Sequence, residues 1–343
     1  MAPERILTPR ALNRALLARQ LLLERVELPI EAAIEQIGGM QTQYAPSGYV
    51  GLWTRVAGFQ RDRLTAALEE RSIIQATLMR TTIHMVSRRE FWPFAMGVRR
   101  ARREWAARVQ ALPGDVELER RSTALRKALA AGPRSVKELE GLAGGFIGNL
   151  GLWVDLVRVP PSGTWERRRA DRLGLADDWL GPPDATEDEG LAHLVRAYLR
   201  AFGPAPWRDI AAWAGIPVGE ARRGGEGLLL ERYRDERGGE LVDLPGAPLP
   251  DPGRPAPARF LAQWDNAMLV HARRTGILPE TVRPQIFNVR NPFSVGTVLV
   301  DGHVVAGWSY RNGRVELTWY GTVSATESKA IDAEREALEA FHA

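Results

Sequence analysis

Two stretches of this 343-residue chain follow one plan, and that repeat restricts the fold more than any other feature. Leu125-Arg126-Lys127-Ala128-Leu129-Ala130 leads into Gly132-Pro133-Arg134-Ser135-Val136-Lys137-Glu138-Leu139. Leu194-Val195-Arg196-Ala197-Tyr198-Leu199 leads into Gly203-Pro204-Ala205-Pro206-Trp207-Arg208-Asp209-Ile210. Each is an apolar-striped helix, a Gly-Pro break and a short second helix. A further break follows, at Gly144-Gly145 or at Gly215-Ile216-Pro217, and then a pair of extended segments. The first pair is Leu152 to Arg158 and Thr164 to Arg168, turning at Pro160, Ser162 and Gly163. The second is Leu228 to Tyr233 and Glu240 to Leu244, turning at Gly238-Gly239. Helices followed by a two-stranded ribbon describe a winged helix-turn-helix. Residues near 8 to 39 and 62 to 94 fit the same plan less closely, with Thr8 as a helix cap and Pro9 at the first helical position.

The remainder is of another kind. Pro245, Pro248, Pro250, Pro252, Pro255 and Pro257 make a linker or surface strap between Leu244 and Ala258. Beyond it, Gly296 to Val300 turns at Asp301-Gly302 into His303 to Trp308, a hairpin pattern. Arg314 to Trp319 reads as another strand, and Ser324 to His342 as a closing amphipathic helix. The boundaries expected are 1–120, 121–185 and 186–245 for three winged-helix units, then 246–343 for linker, C-terminal β-domain and final helix.

Composition excludes more than it assigns. There is no cysteine, so disulfides, cysteine-ligated zinc, iron–sulfur clusters and thiol nucleophiles are all ruled out. No apolar run approaches the roughly 20 residues of a membrane span, and Met1-Ala2-Pro3-Glu4-Arg5 lacks the apolar core of a signal peptide, so a cytoplasmic protein is expected. The five histidines, His84, His193, His271, His303 and His342, are scattered without ligand spacing, so no metal is expected. No Gly-rich phosphate loop or nucleophile elbow occurs, so no nucleotide cofactor or serine triad is expected. Net charge is +4, with only Lys127, Lys137 and Lys329 as lysines. Arginine suits bidentate phosphate contacts, yet an Ala-, Gly- and Pro-rich chain also favours arginine through a GC-rich genome. The charge permits a DNA partner without requiring one.

The chemistry-bearing segment is Gln41-Thr42-Gln43. It follows an amphipathic helix from Pro29 to a Gly38-Gly39 stop and precedes Tyr44-Ala45-Pro46-Ser47-Gly48-Tyr49-Val50-Gly51-Leu52-Trp53. Alternate residues of an extended segment point the same way, so both amides can converge on one water molecule. They can equally cap backbone groups. Together with Leu78-Met79-Arg80-Thr81-Thr82-Ile83-His84-Met85-Val86 and Gln263-Trp264-Asp265-Asn266, this block resembles the AlkZ-like bacterial DNA glycosylases. In that family a Gln-x-Gln motif marks the AlkZ-type branch and Gln-x-Asp the sister branch typified by YcaQ. The resemblance implies an α+β protein of three tandem winged helix-turn-helix units and a C-terminal β-barrel-like domain, C-shaped with a basic concave face. It also implies catalytic roles for Gln41 and Gln43.

Other residues carry two readings each. His84 alternates with Thr82 and Val86 on one side of an extended segment; it is either a satisfied interior histidine or, given the resemblance, DNA-facing or water-linked. Arg80 and Thr82 flank it, and Arg80 can meet a phosphate or an acidic neighbour. Val98 to Arg108 carries five arginines, with Arg99 and Arg103 on one helical face: a solvated face or a phosphate-tracking edge. Trp165-Glu166-Arg167-Arg168-Arg169 is ambiguous in the same way. Asp301-Gly302-His303 resembles the family hairpin that enters a DNA groove. Asp265 either fixes backbone or stabilises a sugar cation.

The expected function is a monomeric, cofactor-free, monofunctional DNA glycosylase acting on double-stranded DNA that contains alkylated guanine. Bulky antibiotic-derived N7 adducts or crosslinks are the expected lesions, in self-resistance or alkylation repair by base excision. The motif holds no lysine for a Schiff base. Two other readings share the sequence: a winged-helix regulator without catalysis, and a resistance protein sequestering a drug in a cleft lined by some of the eleven tryptophans.

Overall fold

A computed structural model describes residues 5–109, 114–143, 152–269, 276–287 and 295–343. The expected Gly144-Gly145 break and His271 lie outside these residues. The chain opens with β1 (Arg5–Leu7) and α1 (Pro9–Arg19), where the Thr8 hydroxyl accepts the Ala11 N–H. Next, α2 (Ile30–Gln36) stops at Gly38 and Gly39, whose φ of 77° and 80° glycine adopts without steric cost. Then come β2 (Met40–Gln41), α3 (Pro46–Trp53), α4 (Arg61–Glu69), the hairpin β3 (Ile73–Thr77) and β4 (Ile83–Ser87), and the 22-residue α5 (Arg88–Val109).

The two repeat copies follow. The first contains α6 (Asp115–Ala130), β5 (Arg134–Ser135), α7 (Val136–Ala143), β6 (Leu156–Arg158) and β7 (Arg172–Leu175), then α8 (Ala176–Leu180). The second contains α9 (Glu187–Phe202), α10 (Trp207–Ala214), α11 (Val218–Gly225), β8 (Glu231–Asp235) and β9 (Glu240–Asp243). In the first copy the return strand is β7, not the expected Thr164 to Arg168. The Ser162 hydroxyl accepts the N–H groups of Asp171 and Arg172 and donates to the Arg169 carbonyl, closing a loop. That loop buries Trp165 edge-on against Tyr49 and Phe341, both at 5.6 Å between ring centroids. Burying an indole outweighs the strand pattern there.

The ribbons are not free wings. One six-stranded sheet, ordered β2-β4-β3-β6-β7-β5, joins the N-terminal segment to the first repeat copy through the antiparallel pairs Gln75↔Arg158 and Ala76↔Val157. β1 extends the second copy's ribbon in parallel, giving β1-β8-β9. The proline-rich strap lies along α1, whose Arg10, Arg14 and Arg19 donate to the Pro252, Arg254 and Pro248 carbonyls.

The C-terminal part is a four-stranded antiparallel sheet of β10 (Arg259–Leu261), β11 (Gly296–Val300), β12 (His303–Arg311) and β13 (Arg314–Trp319). Among the described residues it stays open, whereas a barrel-like domain was expected. The C-terminal helix (Ala325–His342), capped by a reciprocal Ser324–Glu327 box, buries Ile331 and Leu338 in the same apolar cluster as Phe260, Val298 and Val315 of the sheet, so closure is not needed to cover it. That core also contains Tyr49 and Trp53 of α3. A second core joins α5 to α9, α10 and α11 around Phe94, Tyr198 and Trp213. Among the described residues, no helix is long and apolar enough to cross a membrane.

Candidate active site

β2 is an edge strand, and its pairing places the Gln-x-Gln segment. Thr42 N–H donates to the Ile83 carbonyl at 2.8 Å, so the adjacent register pair Gln41↔His84 is the close, non-hydrogen-bonded kind. The Gln41 N–H therefore points off the sheet edge and needs another partner. Asn266 supplies it. Its Oδ1 accepts from Gln41 N at 3.3 Å, and its Nδ2 donates to the Gly39 carbonyl, so one carboxamide stands in for a further strand. The preceding Asp265 is held bidentately by Arg55, both contacts at 2.8 Å and both side chains buried. Arg55 also donates to the Gly51 and Gln20 carbonyls. Asp265 thus fixes the backbone, one of its two expected readings. α3 closes the other face of β2, where a Cβ on Gly51 would lie 2.3 Å from Met40 Cε. A larger residue there would have to push the flexible end of the Met40 side chain aside.

The two glutamines differ. Gln41 is buried, and its Oε1 accepts from Arg80 Nη2 at 2.7 Å. Arg80 Nη1 donates to the Trp213 carbonyl in α10. The turn carrying Arg80 is left-handed at Arg80 (φ 51°) and Thr81 (φ 59°), which costs about 1 kcal/mol or more per residue. Gln43 is exposed, and its Oε1 accepts the Ile83 N–H at 3.2 Å. Each carbonyl oxygen keeps a second lone pair. Thr42 faces the opposite side and accepts from Gln75 Nε2 at 3.1 Å.

His84 sits across from Gln41 and is 1% exposed. Its Nδ1 lies 3.0 Å from the Thr82 carbonyl, which fixes the proton on Nδ1 and leaves Nε2 a buried acceptor with no hydrogen-bond partner among the described residues. Burial, aided by the Arg80 charge, lowers its pKa to about 3, so the ring is neutral. Thr82 donates its hydroxyl to the Met79 carbonyl.

The arginine run and the hairpin tip make contacts of their own within the protein. Arg99 pairs with Asp155 at 2.7 Å, and Arg103 donates to the Leu152 carbonyl at 2.8 Å; both fasten α5 to the first repeat copy. Arg102 donates to the Thr77 carbonyl and Arg100 pairs with Glu220. Asp301 pairs with Arg10 and Arg14 of α1, Gly302 receives Asn13 Nδ2 on its carbonyl at 2.9 Å, and His303 Nδ1 lies 3.1 Å from the Asp301 carbonyl. The tip is seated on α1.

A cleft of about 300 Å3 beside Tyr44 is walled by Tyr44, Arg168, Trp308, Tyr310, Arg311 and His342, and so brings Arg168 of the ambiguous Trp165–Arg169 run to the residue that follows Gln43. Arg168 donates to the Tyr44 hydroxyl at 2.9 Å, and Tyr310 stacks on His342 at 4.1 Å. These residues come from four separate segments of the chain, so no local signal links them. Arg311 and Arg314 flank the exposed Asn312-Gly313 turn, a hairpin signal as strong as Asp301-Gly302. Among the described residues, no group of three or more His, Asp or Glu could hold a metal ion.

A solved structure, the Streptomyces sahachiroi DNA glycosylase AlkZ, superimposes with a TM-score of 0.80 over 98% of this chain and 96% of that one, at 17% identity, which establishes the mixed α+β fold. No curated protein sequence matches. The family model described as DNA glycosylase AlkZ-like matches residues 34–341, which takes in Gln41, Gln43, His84, Asp265 and the whole C-terminal sheet. The chain therefore belongs to the AlkZ-like DNA glycosylase family, and it is a DNA glycosylase.

Proposed function

We propose that the protein is a monofunctional glycosylase that hydrolyses the N-glycosidic bond of N7-alkylguanine in duplex DNA, with Gln41 and Gln43 positioning the water. The observation carrying this is that, among the described residues, the pair has no effective general base beside it, since the buried His84, with its pKa lowered to about 3, is too weak a proton acceptor. Two carboxamides, which do not titrate in the useful range, flank a neutral His84. The carboxylate beside them, Asp265, is bound on both oxygens by Arg55. Such a site suits a leaving group that needs no help. N7 alkylation places a positive charge on the purine. When the C1′–N9 bond breaks, its electron pair neutralises that charge and the base leaves as neutral N7-alkylguanine. Water adds its oxygen to the oxocarbenium carbon and releases a proton to solvent. The protein's task is to orient that water and exclude competing geometries.

The exposure of Gln43 and the open cleft beside Tyr44 support bulky adducts, which a closed base-flipping pocket would exclude. Lys127, Lys137 and Lys329 lie on α6, α7 and the C-terminal helix, outside the site, consistent with hydrolysis rather than Schiff-base lysis. Winged-helix units, a monomeric state and a role in antibiotic self-resistance or alkylation repair belong to the same reading. The test is single-turnover base release from a duplex bearing N7-methylguanine or a bulky N7 adduct. Wild type releases the base, and Gln41→Ala and Gln43→Ala each lose about 100-fold (about 2.7 kcal/mol). Release unaffected by both substitutions would remove the pair from the mechanism; tight duplex binding without release from any adduct would favour a regulator.

A further inference from the structure

Arg80, read from sequence as meeting a phosphate or an acidic neighbour, is held by an amide and a backbone carbonyl. Its Nη2 donates to Gln41 Oε1 at 2.7 Å, and its Nη1 donates to the Trp213 carbonyl in α10. Both terminal nitrogens are thus engaged inside the protein. The turn that aims it is held in the left-handed region at two consecutive non-glycine residues, Arg80 and Thr81. Gly215 caps α10 with φ 74° and packs on that turn; a Cβ there would lie 3.1 Å from Arg80 N. A strained conformation braced from a neighbouring unit is the mark of a position fixed for a purpose.

We infer that Arg80 is the positioning residue for Gln41, tying its carboxamide to the α10 segment and setting which lone pair and which N–H groups face the substrate. This rests on the reading of Gln41 as a water-positioning residue. A carboxamide rotates about its last bond with little resistance. A charge-assisted bond to one carbonyl lone pair stops that rotation and sets the oxygen apart from the nitrogen. The remaining lone pair then has a single direction. The guanidinium also polarises the amide, so Gln41 presents a firmer donor on its nitrogen. The contribution is preorganisation, which acts on the rate of the chemical step rather than on DNA affinity.

The experiment compares wild type, Arg80→Met, Arg80→Lys, Gln41→Ala and the Arg80→Met/Gln41→Ala double variant on N7-methylguanine duplex. Arg80→Met lowers single-turnover release about 30-fold (about 2 kcal/mol), while duplex affinity and its salt dependence stay at wild-type values. In the Gln41→Ala background the same substitution adds less than about 2-fold, since the group it positions is gone. Arg80→Lys, which keeps one donor, falls between. A phosphate contact would behave otherwise: binding weakens and the slope of log K against log salt falls by about one. Either that result or additive losses in the double variant overturns the inference. Side-chain amide resonances of 15N-glutamine-labelled protein give a readout free of activity. The Gln41 pair, assigned with Gln41→Ala, shifts in Arg80→Met while the other glutamines hold, which also shows the variant to be folded. If wild type releases no base, the glycosylase mechanism fails, and an unshifted Gln41 pair would separately sink the positioning role.

Discussion

The Gln41 side of the site is locked, and the Gln43 side is open. Gln41 has its N–H on Asn266, its side-chain oxygen on Arg80 and a neutral histidine across the strand pair. Two residues on, Gln43 is exposed and bonded to the Ile83 backbone, and the next residue, Tyr44, lines a cleft shared by four segments of the chain. Two identical side chains at alternate positions thus have different mechanical roles. One is preorganised at a cost in backbone strain; the other can adapt to what enters. On the proposed function, a site that holds a water and admits adducts of varied size needs both.

The largest effect expected comes from unlocking the first side. Asp265→Ala leaves Arg55 buried without its counter-charge, and the loss should be about 3–5 kcal/mol of stability. Chemical denaturation measures it, and a loss below 1 kcal/mol would mean that water replaces the carboxylate and that the lock is weak. A smaller effect follows from acid. His84 and His193 both have pKa values lowered to about 3, by burial first and then by Arg80 or Arg200 respectively. The unfolded chain, with histidine near 6.5, binds more protons between those values, so stability is full above about pH 6.5 and falls as pH drops toward 3. At pH 5 each histidine should cost about 2 kcal/mol relative to neutral pH. Thermal melts from pH 7 to 5 test this, with His84→Gln removing one share and leaving those of His193 and of His342, whose pKa burial lowers to about 4. The smallest effect is on the open side: Gln43→Ala should change stability by less than about 0.5 kcal/mol while release falls about 100-fold. A matching loss of stability would show that Gln43 also belongs to the lock.

The hairpin turns show how far a local pattern reaches. Asp301-Gly302 and Asn312-Gly313 are both good two-residue turn signals, and both form, with positive φ at all four residues. One is clamped by Arg10, Asn13 and Arg14 of α1, and the other is exposed between two arginines. Turn chemistry is local, so the sequence predicts it; which turn faces solvent depends on a helix almost 300 positions away. The arginine run of α5 teaches the same lesson. Its helix and its charged face were legible, yet Arg99 and Arg103 are committed to Asp155 and Leu152, partners that periodicity cannot identify.

What the sequence determined by itself was the order of helices and ribbons, the Thr8 cap, the Gly38-Gly39 stop, the Asp301-Gly302 turn, the amphipathic C-terminal helix and the Gln-x-Gln segment on an extended stretch. All follow from short-range physics: side-chain period, capping, and the freedom of glycine at positive φ. Tertiary structure alone decided that β3 pairs with β6 to fuse two expected units, that Trp165 leaves its strand for a distant core, and that Asn266 completes an edge 225 residues upstream. It also gave Gln41 its arginine. A buried donor or acceptor must find a partner wherever one is in reach, and that partner is set by the packed chain as a whole rather than by its neighbours in sequence.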